Sequence, residues 1–246
     1  MKKIFVLIGI LGLITCSSIF YVSKAEEKQH LIIYQTEANV TGDIDSESVI
    51  LSGVKKGESP FYEDIKITVF DEKSGRLLYT QIPTINCGFS PNISAVDFDG
   101  DGLFEIFYSA QNASDDGCYY VYNFSSENAK TLYDFEVDAS IYFAKYQNYY
   151  KVCVSLLKKE VSIDLSHKGK DYLSKLYAPD GRLYKQALAT VSNVNRVYTL
   201  YKGDKHLLVA VRKVTGENLS DLICSIVTAY NLNNGAFEIE SSNILQ

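Results

Sequence analysis

"AVDFDGDGLFEIFYSA", residues 95–110, places Asp97, Asp99, Asp101 and Glu105 within nine positions, between apolar runs that alternate as strands do. Carboxylates this close repel one another and raise each other's pKa unless a cation offsets the charge. The three aspartates alternate with Phe98 and Gly100, so a tight turn can aim all of them inward. Gly102 supplies the bend, Leu103 can offer its carbonyl oxygen, and Glu105 closes the set from the start of the next strand. Calcium takes about six to eight oxygen ligands. The neighbourhood offers no nitrogen or sulfur donor for zinc or copper. In an EF-hand the closing Glu is the twelfth residue of a loop between helices, whereas here the twelfth is Tyr108 and both flanks read as strands, which excludes that fold. The competing account is a solvated acidic turn without an ion.

Outward from this loop, β-branched and aromatic runs recur between Gly, Asn, Asp and Ser clusters, and 19 Tyr and 12 Phe reinforce the strand composition. The runs fall into four sets. The first is "LIIYQTEA", "SVILSGV", "IKITVFD", "RLLYTQI"; the second is "NISAVDF", "FEIFYSA", "CYYVYNF", "KTLYDFE". The third is "IYFAKYQ", "KVCVSLL", "EVSIDLS" with "YLSKLY" as its fourth member, and the last is "VYTLYKG", "HLLVAVR", "CSIVTAY", "AFEIESS". In "GKDYLSKLYAP", residues 169–179, Tyr172, Leu173, Leu176 and Tyr177 equally permit one face of a helix. Repeated small sheets bury both faces only by stacking, which predicts an all-β, propeller-like array of about four four-stranded antiparallel blades, incomplete or irregular in places. A two-sheet sandwich is the alternative.

Placed between the first two strands of a blade, "VDFDGDGLFEI" resembles the FG-GAP or VCBS repeat of integrin-type propellers, whose calcium loops carry Asp or Asn at alternate positions and an acid at the ninth. The resemblance implies Ca2+ held by Asp97, Asp99, Asp101, the Leu103 carbonyl and Glu105. An eroded copy, "NVTGDIDSESV", lies 58 residues earlier and aligns Asn39, Thr41, Asp43, Asp45 and Glu47 with these positions, with Ile44 where the second glycine would stand. In the fourth set, "TLYKGDKHLLVAV" keeps only Asp204 as an acid, so no ion is expected there. Over most of residues 31–240, carried by "GFSPNISAVDFDGDGLFEIFYSA", "YYVYNF" and "DLSHKGKDYLSKLYAPDGRLY", the chain is similar to secreted VCBS-repeat proteins of spore-forming bacteria. That implies an extracytoplasmic, calcium-binding, non-enzymatic part at the cell or spore surface, with a protein or glycan as its surface ligand. The cysteines depart from that group.

The N-terminus, "MKKIFVLIGILGLITCSSIFYVSKAEE", has a basic start, an apolar run and a small-residue site, which reads as a signal peptide over residues 1–25 followed by a single β domain over 26–246. An uncleaved membrane anchor over residues 4–22 and a lipoprotein signal ending at Cys16 are the alternatives, and all three place the body outside the cytoplasm. Removing residues 1–25 takes away Lys2, Lys3 and Lys24 and no acid, moving the net charge from −6 to −9. Such acidity argues against nucleic acid and anionic membrane as partners and favours cations. Outside the cell disulfides can form, and Cys87 and Cys118 fall at the same end of one meander, which predicts a bridge; Cys153 and Cys224 read as buried small hydrophobes.

No local catalytic motif surrounds His30, His167 or His206, which read as exposed turn or terminal residues, and the expectation is that the chain is not an enzyme. The rival class is a secreted hydrolase with an acid pair outside the metal loops, such as Asp164 or Asp171. In "SAQNASDDGCYYVYNF", residues 109–124, Asn112, Asp115 and Asp116 could flank a recognition face built from Tyr119, Tyr120 and Tyr122. The alternative is that these tyrosines pack between blades.

Overall fold

A computed structural model describes residues 29–43, 45–112, 116–137 and 142–246; residues 1–25, read above as a signal peptide, lie outside them. Among the described residues no helix is long and apolar enough to cross a membrane. Apart from one short helix, the regular structure of the described residues is strand, and the period-two pattern decides which face each strand buries. In "IKITV" of the third strand, Ile65, Ile67 and Val69 are each 0% exposed, whereas Lys66 and Thr68 between them are only half-buried. Each such side chain contributes about 1.5–3 kcal/mol by leaving water.

Four antiparallel meanders follow in sequence. β1 (Leu31–Ala38), β2 (Glu47–Lys55), β3 (Phe61–Asp71) and β4 (Leu77–Gln81) form the first; β5 (Gly88–Val96), β6 (Glu105–Gln111), β7 (Gly117–Asn123) and β8 (Lys130–Asp134) form the second. β9 (Phe143–Gln147), β10 (Lys151–Ser155) and β11 (Glu160–Asp164) lead into α1 (Lys170–Leu176). β12 (Leu188–Lys202), β13 (Lys205–Thr215), β14 (Leu222–Asn233) and β15 (Ala236–Leu245) complete the chain.

The meanders are not separate four-stranded blades. β3 runs past its partner β4, and its first residues pair with β5 through Phe61↔Phe89 and Tyr62↔Gly88. Likewise the long β12 pairs with β9 through Leu188↔Lys145 and Ala189↔Ala144. The outcome is an eight-stranded and a seven-stranded sheet, all antiparallel. In the third set "YLSKLY" is not a strand: residues 170–176 are helical, with Asp171 in the first turn and Lys175 in the last, where each charge suits the helix dipole. Tyr172, Leu173 and Leu176 pack from this helix onto the core beneath.

Two apolar cores result. The larger lies within the first sheet and also takes Val194, Val197, Leu208, Ala210, Tyr230 and Leu232 from β12–β14; the other ends of those strands meet β9–β11 and α1 in the smaller core. The second sheet therefore belongs to both cores and ties them together. Cys153 and Cys224 are buried as expected. Where a Cys87–Cys118 bridge was expected, the structure has two free thiols, the second pushed up to about 11 by burial with a further contribution from Cys87.

Candidate metal centre

β5 ends at Val96 and β6 begins at Glu105, so the acidic segment is the turn of a hairpin. Gly100 and Gly102 have φ of 79° and 86°, a region open to glycine without steric cost. These two bends let Asp97 fold back on its own turn: Oδ1 accepts the Gly100 N–H at 2.7 Å and Oδ2 the Gly102 N–H at 3.0 Å. Asp101 Oδ1 accepts the Leu103 N–H at 2.8 Å. One carboxylate oxygen from each of Asp97, Asp99 and Asp101 lies within 4.8 Å of the others. From β6, Glu105 is 3% exposed and accepts the Phe98 N–H at 3.3 Å and Asn123 Nδ2 at 3.1 Å. Asp99, Asp101, Leu103, Glu105 and Asn123 line one cavity of about 280 Å³.

Lys130 also lines this cavity, its Nζ donating to the Gly235 carbonyl at 3.0 Å, and among the described residues it forms no ion pair with the acids. Asp99 Oδ1 is buried without a hydrogen-bond partner. Burial raises the Asp99 carboxyl above its ordinary range, and Asp101 and Asp97 push it further. Burial pushes Glu105 from 4.5 to about 7, the hydrogen bonds from Asn123 and Phe98 oppose the rise, and the charges of Asp99 and Asp101 add to it. An all-oxygen donor set with an orphaned buried carboxylate oxygen fits a hard divalent cation, calcium above all.

Glu105 gives this site a testable pH signature. Its folded pKa lies above the unfolded value, so without metal the folded state keeps the proton longer, and stability falls as pH climbs from 4.5 through about 7. Glu105→Gln removes that titration at the cost of one hydrogen bond. In chelator at about pH 8 the variant is expected to be more stable than the parent, on the order of 2 kcal/mol in urea melts. With calcium present the order reverses, because only the parent retains the carboxylate. A variant less stable in both conditions would contradict the site.

The earlier loop repeats the same wiring. Gly42, with φ of 86°, donates its N–H to Asn39 Oδ1 at 2.9 Å, as Gly100 does to Asp97. Asp45 N–H binds Asp43 Oδ1 at 3.0 Å, as Leu103 binds Asp101, and Val40 N–H binds Glu47 Oε2 at 2.8 Å, as Phe98 binds Glu105. The differences lie in the charge. Thr41 replaces Asp99, and its hydroxyl donates to Glu47 Oε1 at 2.9 Å. Lys73 Nζ lies 2.6 Å from both oxygens of Asp45. A surface ammonium therefore pairs with one carboxylate of this loop, and Ile44 lies outside the described residues. Of the two loops anticipated as metal sites, Asn39, Thr41, Asp43, Asp45 and Glu47 form the one with fewer carboxylates and with a lysine on one of them. A calcium titration is expected to return one strong site per chain, and two sites of equal affinity would contradict this distinction.

The fourth meander also reaches the acidic turn. His206 Nδ1 hydrogen-bonds with the Asp97 carbonyl oxygen at 3.0 Å, and a Cβ on Gly100 would lie 3.0 Å from the Asp204 carbonyl oxygen. Phe104 N–H donates to Asn39 O at 2.9 Å. Two further hairpins thus brace this turn, and His206 is half-buried rather than an exposed turn residue, while His30 and His167 are exposed. Sequence reading missed this role, although "GDKHL" sits where the acidic loops sit in the other sets. Of the tyrosines in 117–123, Tyr120 and Tyr122 are 0% and 1% exposed and Tyr119 is 8%, so they pack rather than display a face. Asp115 lies outside the described residues. Asp164 and Asp171 are exposed; hydrogen bonds from Ser166 hold Asp164 below the usual carboxylate range.

The profile of the YybI C-terminal domain family matches residues 141–245. The chain is also similar to YybI of Bacillus subtilis (strain 168), described as an uncharacterized protein, at 26% identity over 225 residues, 88% of this chain and 86% of that one. No solved structure matches.

Proposed function

We propose that the chain is an exported, calcium-braced β module whose four meanders form a propeller-like arc and which serves as a structural or ligand-binding part at the cell or spore surface, without catalysis. The carrying observation is the acidic turn, where three aspartates meet beside a buried glutamate and one buried oxygen of Asp99 has no partner. Asp97, Asp99, Asp101 and Glu105, with the Leu103 carbonyl, would hold the ion. Calcium would offset the clustered carboxylates, with which Lys130 forms no ion pair among the described residues, and the hairpins at 39–47 and 202–206 that lean on the turn would be braced in consequence. Export is supported by the basic, apolar and small-residue pattern of residues 1–25. The family likeness of "VDFDGDGLFEI" to VCBS and FG-GAP loops supports the same reading.

The test is calorimetric melting of residues 26–246 in calcium, in EDTA, and as Asp99→Ala. At calcium about 100-fold above Kd the bound ion adds about 2.7 kcal/mol, a rise in Tm of about 5–10 °C for a domain of this size. Asp99→Ala is expected to melt at one temperature in both buffers. Equal melting temperatures for the parent with and without calcium would refute the proposal.

A further inference from the structure

A second cavity is separate from the acidic turn. It has a volume of about 570 Å³ and lies between the two sheets, with Ser90, Ser109 and Gln111 on one wall and Asn195, Arg196 and Lys213 on the other. Ser90 and Asp97 fall at opposite ends of β5, so the cleft and the metal turn sit at opposite ends of that hairpin. Both walls depart from regular strand. β5 slips register between Phe89 and Asn92, and Ser90 stands at φ of 47°, held by its N–H on the Pro60 carbonyl at 3.0 Å. β12 slips twice, between Val191 and Val194 and between Val194 and Arg196. Bulges of this kind re-aim side chains and gather next to binding sites, and a non-glycine residue in the left-handed region is retained only where its surroundings fix it.

The floor is fixed as well. Tyr119 donates its hydroxyl to the Asn195 carbonyl at 3.3 Å, and its ring lies so close over Gly117 that a Cβ there would come within 2.1 Å of it. The charge of the cleft is opposite to that of the chain. The chain carries −6, yet among the described residues the cavity is lined by Arg196 and Lys213 and by no carboxylate. Neither cation takes part in an ion pair among the described residues.

We infer that this cleft binds an anionic saccharide unit, with Arg196 and Lys213 taking the charged group and the hydroxyls and amides of Ser90, Ser109 and Gln111 taking sugar hydroxyls. Pockets of about 300–1,000 Å³ suit ligands of one or two sugar rings. Carboxylate and phosphate share this chemistry, since a guanidinium and an ammonium donate to both. The assignment deepens the reading of the chain as a ligand-binding module but does not depend on the metal.

The test is titration calorimetry at low salt with digalacturonate, glucose 6-phosphate and neutral maltose, each in calcium and in EDTA. At least one acidic probe is expected to bind, in both buffers, and at least 10-fold more tightly than maltose. Preference for digalacturonate assigns a carboxylate and preference for glucose 6-phosphate a phosphate. The double variant Arg196→Gln, Lys213→Gln is expected to weaken binding by about 10–100-fold with its melting temperature unchanged. Arg182→Gln, at a surface arginine outside the cleft, is expected to leave binding as it was. No binding of either acidic probe below about 5 mM, equal binding of maltose, or full binding by the double variant would overturn the inference. Binding that vanishes in EDTA would place the ligand on the metal and overturn it too, whereas a missing calcium response in melting leaves this test intact.

Discussion

Phe98→Ala is expected to destabilise the protein by about 3–5 kcal/mol, the largest loss anticipated for any single truncation near the acidic turn. Phe98 stands between Asp97 and Asp99 of the acidic turn but packs into the core, is 0% exposed, and meets Phe237 of β15 edge to face at 5.1 Å. Its removal opens a cavity where the first sheet meets the second. Leu, which keeps most of the volume but not the ring contact, is expected to cost about half as much. Urea melts in EDTA check both, because the effect is one of packing. A loss under about 1 kcal/mol for the alanine variant would mean that the two sheets do not share this contact.

Gly216→Ala is expected to cost about 3 kcal/mol, a large effect for one added methyl. A Cβ there would lie 1.9 Å from Asp221 Oδ2, 2.6 Å from the Tyr146 hydroxyl and 2.7 Å from that of Tyr172. These groups form one network. Lys168 Nζ donates to Asp221 Oδ1 at 2.7 Å and to the Leu222 carbonyl at 3.1 Å, and the Tyr146 and Tyr172 hydroxyls are 2.8 Å apart. Burial would raise the Asp221 carboxyl, but hydrogen bonds from Lys168, Tyr172 and the Glu217 amide outweigh it and hold the group below its ordinary value. An added methyl must displace that carboxylate and leave Lys168, largely buried, without its partner. The network joins β9, α1 and the β13–β14 loop, so partial unfolding of α1 should accompany the loss, visible as faster amide exchange at residues 173 and 177. Parent-like stability and exchange would contradict this account.

What could be read from the sequence was what neighbours in the chain decide. The alternation of Ile65, Ile67 and Val69 requires only the pleat, and the shared wiring of the loops at 39–47 and 97–105 is made within nine residues, so a spacing of 58 exposed both. Residues 170–176 were ambiguous for a physical reason: Tyr172, Leu173 and Leu176 satisfy either a helical stripe or a strand, and packing against the smaller core decided between them. Contacts between distant residues could not be read. Lys73 is 28 residues from Asp45, and His206 is 109 from Asp97, so neither the ion pair on the first loop nor the His206 brace on the second has a local signature. The same holds for the pairing of Phe61 with Phe89, which turns two expected blades into one sheet.

The most direct measurement of the metal site is the anomalous scattering of crystals grown in calcium. The account expects a single strong peak among Asp97, Asp99 and Asp101, at about 2.3–2.6 Å from their oxygens and with Glu105 facing it, and no peak beside Asp45 and Lys73. Carboxylates turned apart into solvent, with no peak between them, would contradict it.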